Sequence, residues 1–145
     1  MELPTSLIDA QMTIVADASA MVEVLLAMQR AGEVRAALAE HPELHVPEHF
    51  NVEALSALRR YAIRGELTQL RAAEALGALR DLRTLAYPVI ELAAEIWELR
   101  ETLTAYDAAY LVLARRLDVG LVTLDGGLAV AAAKEGRLVQ LEAGV

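Results

Sequence analysis

The run MTIVAD, residues 12–17, is a short apolar segment that ends in an acid, and its reading decides the fold. Thr13, Ile14 and Val15 are β-branched, and a run this short without polar alternation reads as a strand buried on both faces. Buried strands of this kind belong to parallel sheets covered by helices. The rest of the chain supplies the alternation that such a sheet needs. Helical sequence follows at 19–29 and 33–40, ELHV (43–46) is a second strand closed by Pro47, and 48–64 is helical up to Gly65. A helix over 68–83 pairs with it across the turn at 65–67, and TLAY (84–87) reads as a strand. Pro88 suits the first turn of a helix running to about Leu103. The segment 106–117 is apolar on nearly every side and is therefore central. VGLVTLD (119–125) is the next strand, 126–135 a last helix and RLVQL (137–141) a closing strand.

Two of these strands end in aspartate, Asp17 and Asp125. The carboxyl ends of parallel strands share one edge, where ligands bind, so the two acids converge on one cleft. Asp107 opens the most apolar helix on the face of Leu111 and Ala114, and Glu53 lies at the border of its helix's apolar side, between Phe50 and Ala57. A buried carboxylate needs hydrogen bonds, a cation or a metal to offset its burial. Four acids without cysteine or a matching histidine form the all-oxygen set that hard divalent cations take.

Each acid also has a purely local use. Asp17 can cap the helix that follows it, as can Ser19; Asp125 precedes Gly126-Gly127 as a cap or turn residue. Thr104 and Asp107 resemble a capping box, and Glu53 can pair with Arg60. His41, His45 and His49 recur every four residues, but Pro42 and Pro47 prevent them from sharing a helical face, which argues against zinc. Ser19 and Thr123 have no partner histidine in a nucleophile motif and are read as hydroxyls supporting the acids. Arg60 and Arg64 lie on the helical edge of Glu53, either as a solvated face or as a grip on phosphate.

The chain has 145 residues, enough for a single domain over 1–145 with residues 1–11 as an N-terminal extension. Its 56% hydrophobic content supports a helix-rich core, and its 4% aromatic content argues against base stacking as the main source of any nucleic-acid contact. There is no cysteine, so disulfides and thiolate zinc sites are excluded. No basic, apolar leader and no membrane-length apolar run is present, which leads to the expectation of a soluble, cytoplasmic protein. The net charge of −8, from 13 basic and 21 acidic residues, weighs against a nucleic-acid partner unless bound metal reverses the local sign or the arginines at 59, 60, 64 and 71 cluster.

Three segments resemble a known family. IVADASAMVEVLL is similar to the opening of the PIN domain. VPEHFNVEALSALRR resembles the VapC segment that carries a glutamate. LTAYDAAYLVLARRLDVGLVTLDGGLA resembles the third and fourth acidic positions together, and the likeness spans residues 13–141. The resemblance implies a three-layer α/β/α fold with a central, mainly parallel sheet. It also implies an endoribonuclease dependent on Mg²⁺ or Mn²⁺, with Asp17, Glu53, Asp107 and Asp125 as metal ligands and catalytic acids. Such proteins are toxins of toxin–antitoxin pairs that inhibit translation or growth. They are commonly homodimers, and a VapB-type antitoxin restrains them. Two rivals are a non-catalytic PIN-fold module that binds RNA or protein, and a phosphoacceptor receiver domain. The receiver domain would want adjacent acids at the first strand end, where Ala18 stands here.

Overall fold

Segment 13–16 does become a strand, and it is the one around which the others assemble. In the computed structural model, which describes residues 13–142, the strands are β1 (Thr13–Ala16), β2 (Glu43–Pro47), β3 (Thr84–Tyr87) and β4 (Leu121–Val122). The expected extension at 1–11 lies outside the described residues. All strand pairs are parallel and the sheet order is β3-β2-β1-β4. β1 is therefore flanked on both sides, with Val15 opposite His45 on one neighbour and Leu121 on the other.

The helices are α1 (Ala18–Leu25), α2 (Ala31–Ala39), α3 (Phe50–Ile63), α4 (Gln69–Asp81), α5 (Ala93–Glu98), α6 (Ala105–Leu117) and α7 (Gly126–Lys134). The chain moves from β1 outward to β2 and β3, then returns across the sheet to β4. Right-handed crossovers then place α1–α4 over one face and α5 and α6 over the other, which gives the three-layer α/β/α fold. Contacts follow this division: α1 packs on α2 and α3, while α6 packs on β1, β2 and α5. The order of strand connections reverses at β1, so the crevice beyond the ends of β1 and β4 is the switch point at which α/β sheets take ligands.

Every residue from Ala108 to Ala114 is buried, so α6 is central as its composition predicts. α3 and α4 form the expected hairpin; Gly65 sits at φ 75°, a left-handed conformation that favours glycine. Elsewhere the elements are shorter than the sequence suggests. α1 stops at Leu25 because Ala27 turns left-handed at φ 50° with no glycine or proline to announce it. Pro88 stands outside the following helix, and the expected 88–103 helix is a 3-10 turn (Val89–Leu92), the short α5 and a further turn. The closing strand at 137–141 is reduced to one parallel bridge between Leu121 and Leu138, since β4 offers only two residues to pair with.

The core makes a direct prediction. Leu113 is fully buried on α6, whereas Ile90 is 79% exposed. Leu113→Ala should cost about 2–5 kcal/mol in urea unfolding, and Ile90→Ala should stay within about 0.5 kcal/mol.

Candidate active site

β1 ends at Ala16, and the next residue, Asp17, is buried at the N-terminus of α1. Its Oδ1 accepts from the Ala20 backbone N–H at 3.0 Å and from the Ser19 hydroxyl at 2.6 Å. Its Oδ2 accepts from the Thr123 hydroxyl, 106 residues further along the chain, at 2.5 Å. Asp17 is thus the helix cap that local reasoning allows, and it also joins the ends of two strands. The hydroxyls continue the link: Leu124 N–H donates to Ser19 Oγ at 3.1 Å and Asp125 N–H to Thr123 Oγ1 at 3.0 Å. Ser19 and Thr123 thus support the acid directly, as their placement in the sequence suggests.

Asp125 caps α7, its Oδ1 accepting from Leu128 N–H at 2.9 Å. Asp107 stands in the first turn of α6, where Thr104 Oγ1 accepts from its backbone N–H. Glu53 stands in the first turn of α3, which leaves the carboxyl end of β2 through Glu48 and His49. Glu53 does not form an ion pair with Arg60. Its Oε1 accepts from the Tyr110 hydroxyl at 2.7 Å and lies 3.1 Å from His49 Nε2.

One open cleft of about 450 Å³ is lined by all four acids, together with Ser19, Ser56, Arg60, Tyr106 and Tyr110. The acids grade in exposure: Asp17 is buried, Glu53 and Asp107 are half-buried and Asp125 is exposed. Arg60 is the one cation among the lining residues. Arg64 caps the C-terminus of α3, one turn beyond Arg60, and is not among the residues that line the cleft. Of the other arginines in that span, Arg71 pairs with Glu74 and Arg59 lines a separate apolar groove with Leu55 and Leu58.

Burial raises the Asp17 carboxyl above its ordinary range against the hydrogen bonds from Ser19, Thr123 and Ala20, and the charge of Asp125 adds to the rise. Asp107 is raised as well, chiefly by burial and then by Asp125 and Glu53. Mutual repulsion therefore acts in the expected direction but is smaller than desolvation. Glu53 moves the other way: burial opposes its ionisation, yet the His49 and Tyr110 bonds and the charges of His49 and Arg60 bring it below the ordinary value.

Among the described residues, no three Asp, Glu or His side chains stand close enough to enclose one ion between them. The donors are all carboxylate oxygens around an open, roomy cleft, which fits a hard cation that keeps several of its waters and not a dehydrated cage. His45 is excluded from such a role, being buried against Tyr87 on the neighbouring strand. His49 and Tyr110 were not singled out as site residues from the sequence. The i, i+4 spacing of His49 and Glu53 is the local signal that could have found the first; only the fold brings Tyr110 to Glu53.

The chain is similar to known proteins over most of its length. Residues 14–134 match the family model of the PIN domain. The VapC ribonuclease Mb0985 of Mycobacterium bovis is 43% identical over 112 residues, 77% of this chain and 85% of its own length. Ribonuclease VapC3 of Mycobacterium tuberculosis is 40% identical over 117 residues, 80% of this chain and 85% of its own. Among solved structures, PAE2754 from Pyrobaculum aerophilum superposes with a TM-score of 0.62 at 24% identity, covering 83% of this chain and 79% of that one. Mycobacterium tuberculosis VapC20, described as a toxin that cleaves the sarcin–ricin loop, gives 0.61 at 19% identity, with 81% and 94% covered.

The raised Asp17 pKa has a consequence for stability. A carboxyl that binds its proton more tightly folded than unfolded opposes folding increasingly as pH rises from about 3.8 through the raised value, and has no effect below both. Asn can keep the Ala20 and Ser19 bonds. Without divalent ions, Asp17→Asn should therefore raise the thermal midpoint at neutral pH, and the gain should vanish as the solution is acidified. A variant less stable than the parent at neutral pH would show that the hydrogen bonds outweigh burial.

Proposed function

The chain belongs to the PIN-domain family, among the VapC ribonucleases, and from that premise we propose that it is a metal-dependent endoribonuclease, the toxin of a toxin–antitoxin pair. The observation that carries the reading is the convergence of Asp17, Glu53, Asp107 and Asp125 from four separate elements on one cleft beside Arg60. The reading takes residues 1–145 as one PIN domain that acts in the cytoplasm as a homodimer, with a VapB-type antitoxin as its restraining partner. Among the described residues no helix is long and apolar enough to cross a membrane.

In this reading the four carboxylates hold Mg²⁺ or Mn²⁺. When bound, such an ion supplies water activation and neutralisation of charge at a phosphodiester. The protein's own contribution is placement. Ser19, Thr123 and the Ala20 amide hold Asp17 at the floor of the cleft, so its carboxylate costs no reorganisation when a ligand arrives. Asp125 sits at the rim on the segment that Thr123 secures, facing the deeper acids. Arg60 offers a planar guanidinium for non-bridging phosphate oxygens, in a lining whose other charged residues are all acids. Tyr106, 62% exposed, adds an aromatic surface at the same cleft.

The test is RNA cleavage by the purified protein. Asp17→Asn, Asp107→Asn and Asp125→Asn should each cut the rate by about a hundredfold or more, the size expected when a few kcal/mol of charge stabilisation is lost. EDTA should stop turnover and Mn²⁺ should restore it. A folded protein that binds RNA without cleaving it under these conditions would favour the non-catalytic module, and unimpaired cleavage by any one variant would remove that acid from the ligand set.

A further inference from the structure

Glu53 is held from two sides through a single oxygen. The Tyr110 hydroxyl donates to Oε1 at 2.7 Å from the buried interior of α6. His49 Nε2 lies 3.1 Å from the same Oε1 and 3.1 Å from the Tyr106 carbonyl oxygen. A backbone carbonyl can only accept, and a carboxylate oxygen likewise, so the hydrogen-bond network assigns a proton to Nε2. The ring is also enclosed: it packs edge-on against Tyr106 at 5.6 Å and Tyr110 at 5.2 Å between ring centres. The His49 carbonyl meanwhile accepts the Glu53 backbone N–H at 3.0 Å, so the same residue restrains Glu53 through both main chain and side chain.

These contacts join α3 to α6. His49 begins α3, which carries Glu53, and Tyr106 immediately precedes Asp107 on α6. We infer that His49 is a positioning residue for the metal site: its Nε2 bonds the Tyr106 carbonyl with Glu53 Oε1 at the same 3.1 Å, which sets the spacing of Glu53 and Asp107 and leaves the second Glu53 oxygen for the ion. The inference rests on the reading of Glu53 and Asp107 as ligands. An outer partner that orients a ligating group typically controls metal affinity by one to two orders of magnitude.

Two amide substitutions separate this role from simple packing. The Gln side chain can place an N–H donor where Nε2 stands, whereas Asn is too short to reach it. Both remove the ring, so any loss of packing is common to the two. Mn²⁺ binding by the full-length protein is followed through the electron paramagnetic resonance of the free ion, below the thermal midpoint of the less stable variant. His49→Gln should bind within a few-fold of the parent, and His49→Asn should bind about tenfold more weakly. Equal affinities for the two variants would overturn the inference while leaving the four-acid reading intact. Failure of the parent protein itself to bind Mn²⁺ would overturn both.

Discussion

A carboxylate buried at the end of the central strand is the constraint around which the cleft is organised. Taking Asp17 out of water costs several kcal/mol, and three donors offset part of that cost while burial still holds its carboxyl above the ordinary range. Two of those donors are hydroxyls, and a hydroxyl can accept while it donates. Ser19 and Thr123 use both capacities. Each gives its proton to Asp17 and receives a backbone N–H from the segment after β4. The acid at the end of β1 therefore holds the acid at the end of β4 in place, without any direct contact between two negative charges. β4 is only two residues long, so this link supplies at the carboxyl edge what the short ladder does not.

An acidic protein that handles RNA has to concentrate its cationic help. Many of the arginines here are engaged elsewhere: Arg115 with Glu135, Arg116 with Glu95, Arg71 with Glu74, Arg30 with Glu33 and Arg137 with Asp118. Several of these pairs are solvent-exposed, and such pairs contribute little to stability. The Arg115 and Arg116 pairs tie α6 to α7 and α5, and so help to seat the helix that carries Asp107. Arg60 faces the cleft itself. With the proposed divalent ions bound, attraction for a polyanion at this site would depend on their charge more than on protein charge, which would reconcile a net charge of −8 with a phosphodiester substrate.

The sequence revealed the parts of this arrangement that follow from local pattern. Apolar runs ending in acid, MTIVAD and VGLVTLD, marked two strand ends, and strand ends in a parallel sheet must meet at one edge. The all-round apolar character of 106–117 marked the central helix. What pattern could not reveal was decided by contacts between distant segments. The left-handed turn at Ala27 ends α1 in a stretch free of glycine and proline. RLVQL has the composition of a strand but finds a single partner residue in Leu121. The three histidines spaced by four diverge, with His45 on β2 and His49 at the start of α3, and the latter becomes a partner of Glu53. Arg60 and Arg64 stand one turn apart on α3, yet Arg60 lines the cleft and Arg64 does not.

The central claim is that four carboxylates distant in sequence act on the same ion or ions. Diffraction from crystals soaked in Mn²⁺, with an anomalous difference map at the manganese edge, addresses it without reference to activity. The account predicts a peak inside the cleft, in contact directly or through ordered water with Asp17, Asp107 and Asp125, and Glu53 turned towards it. A map with no peak there, or with manganese held only by acids outside the cleft, would contradict it.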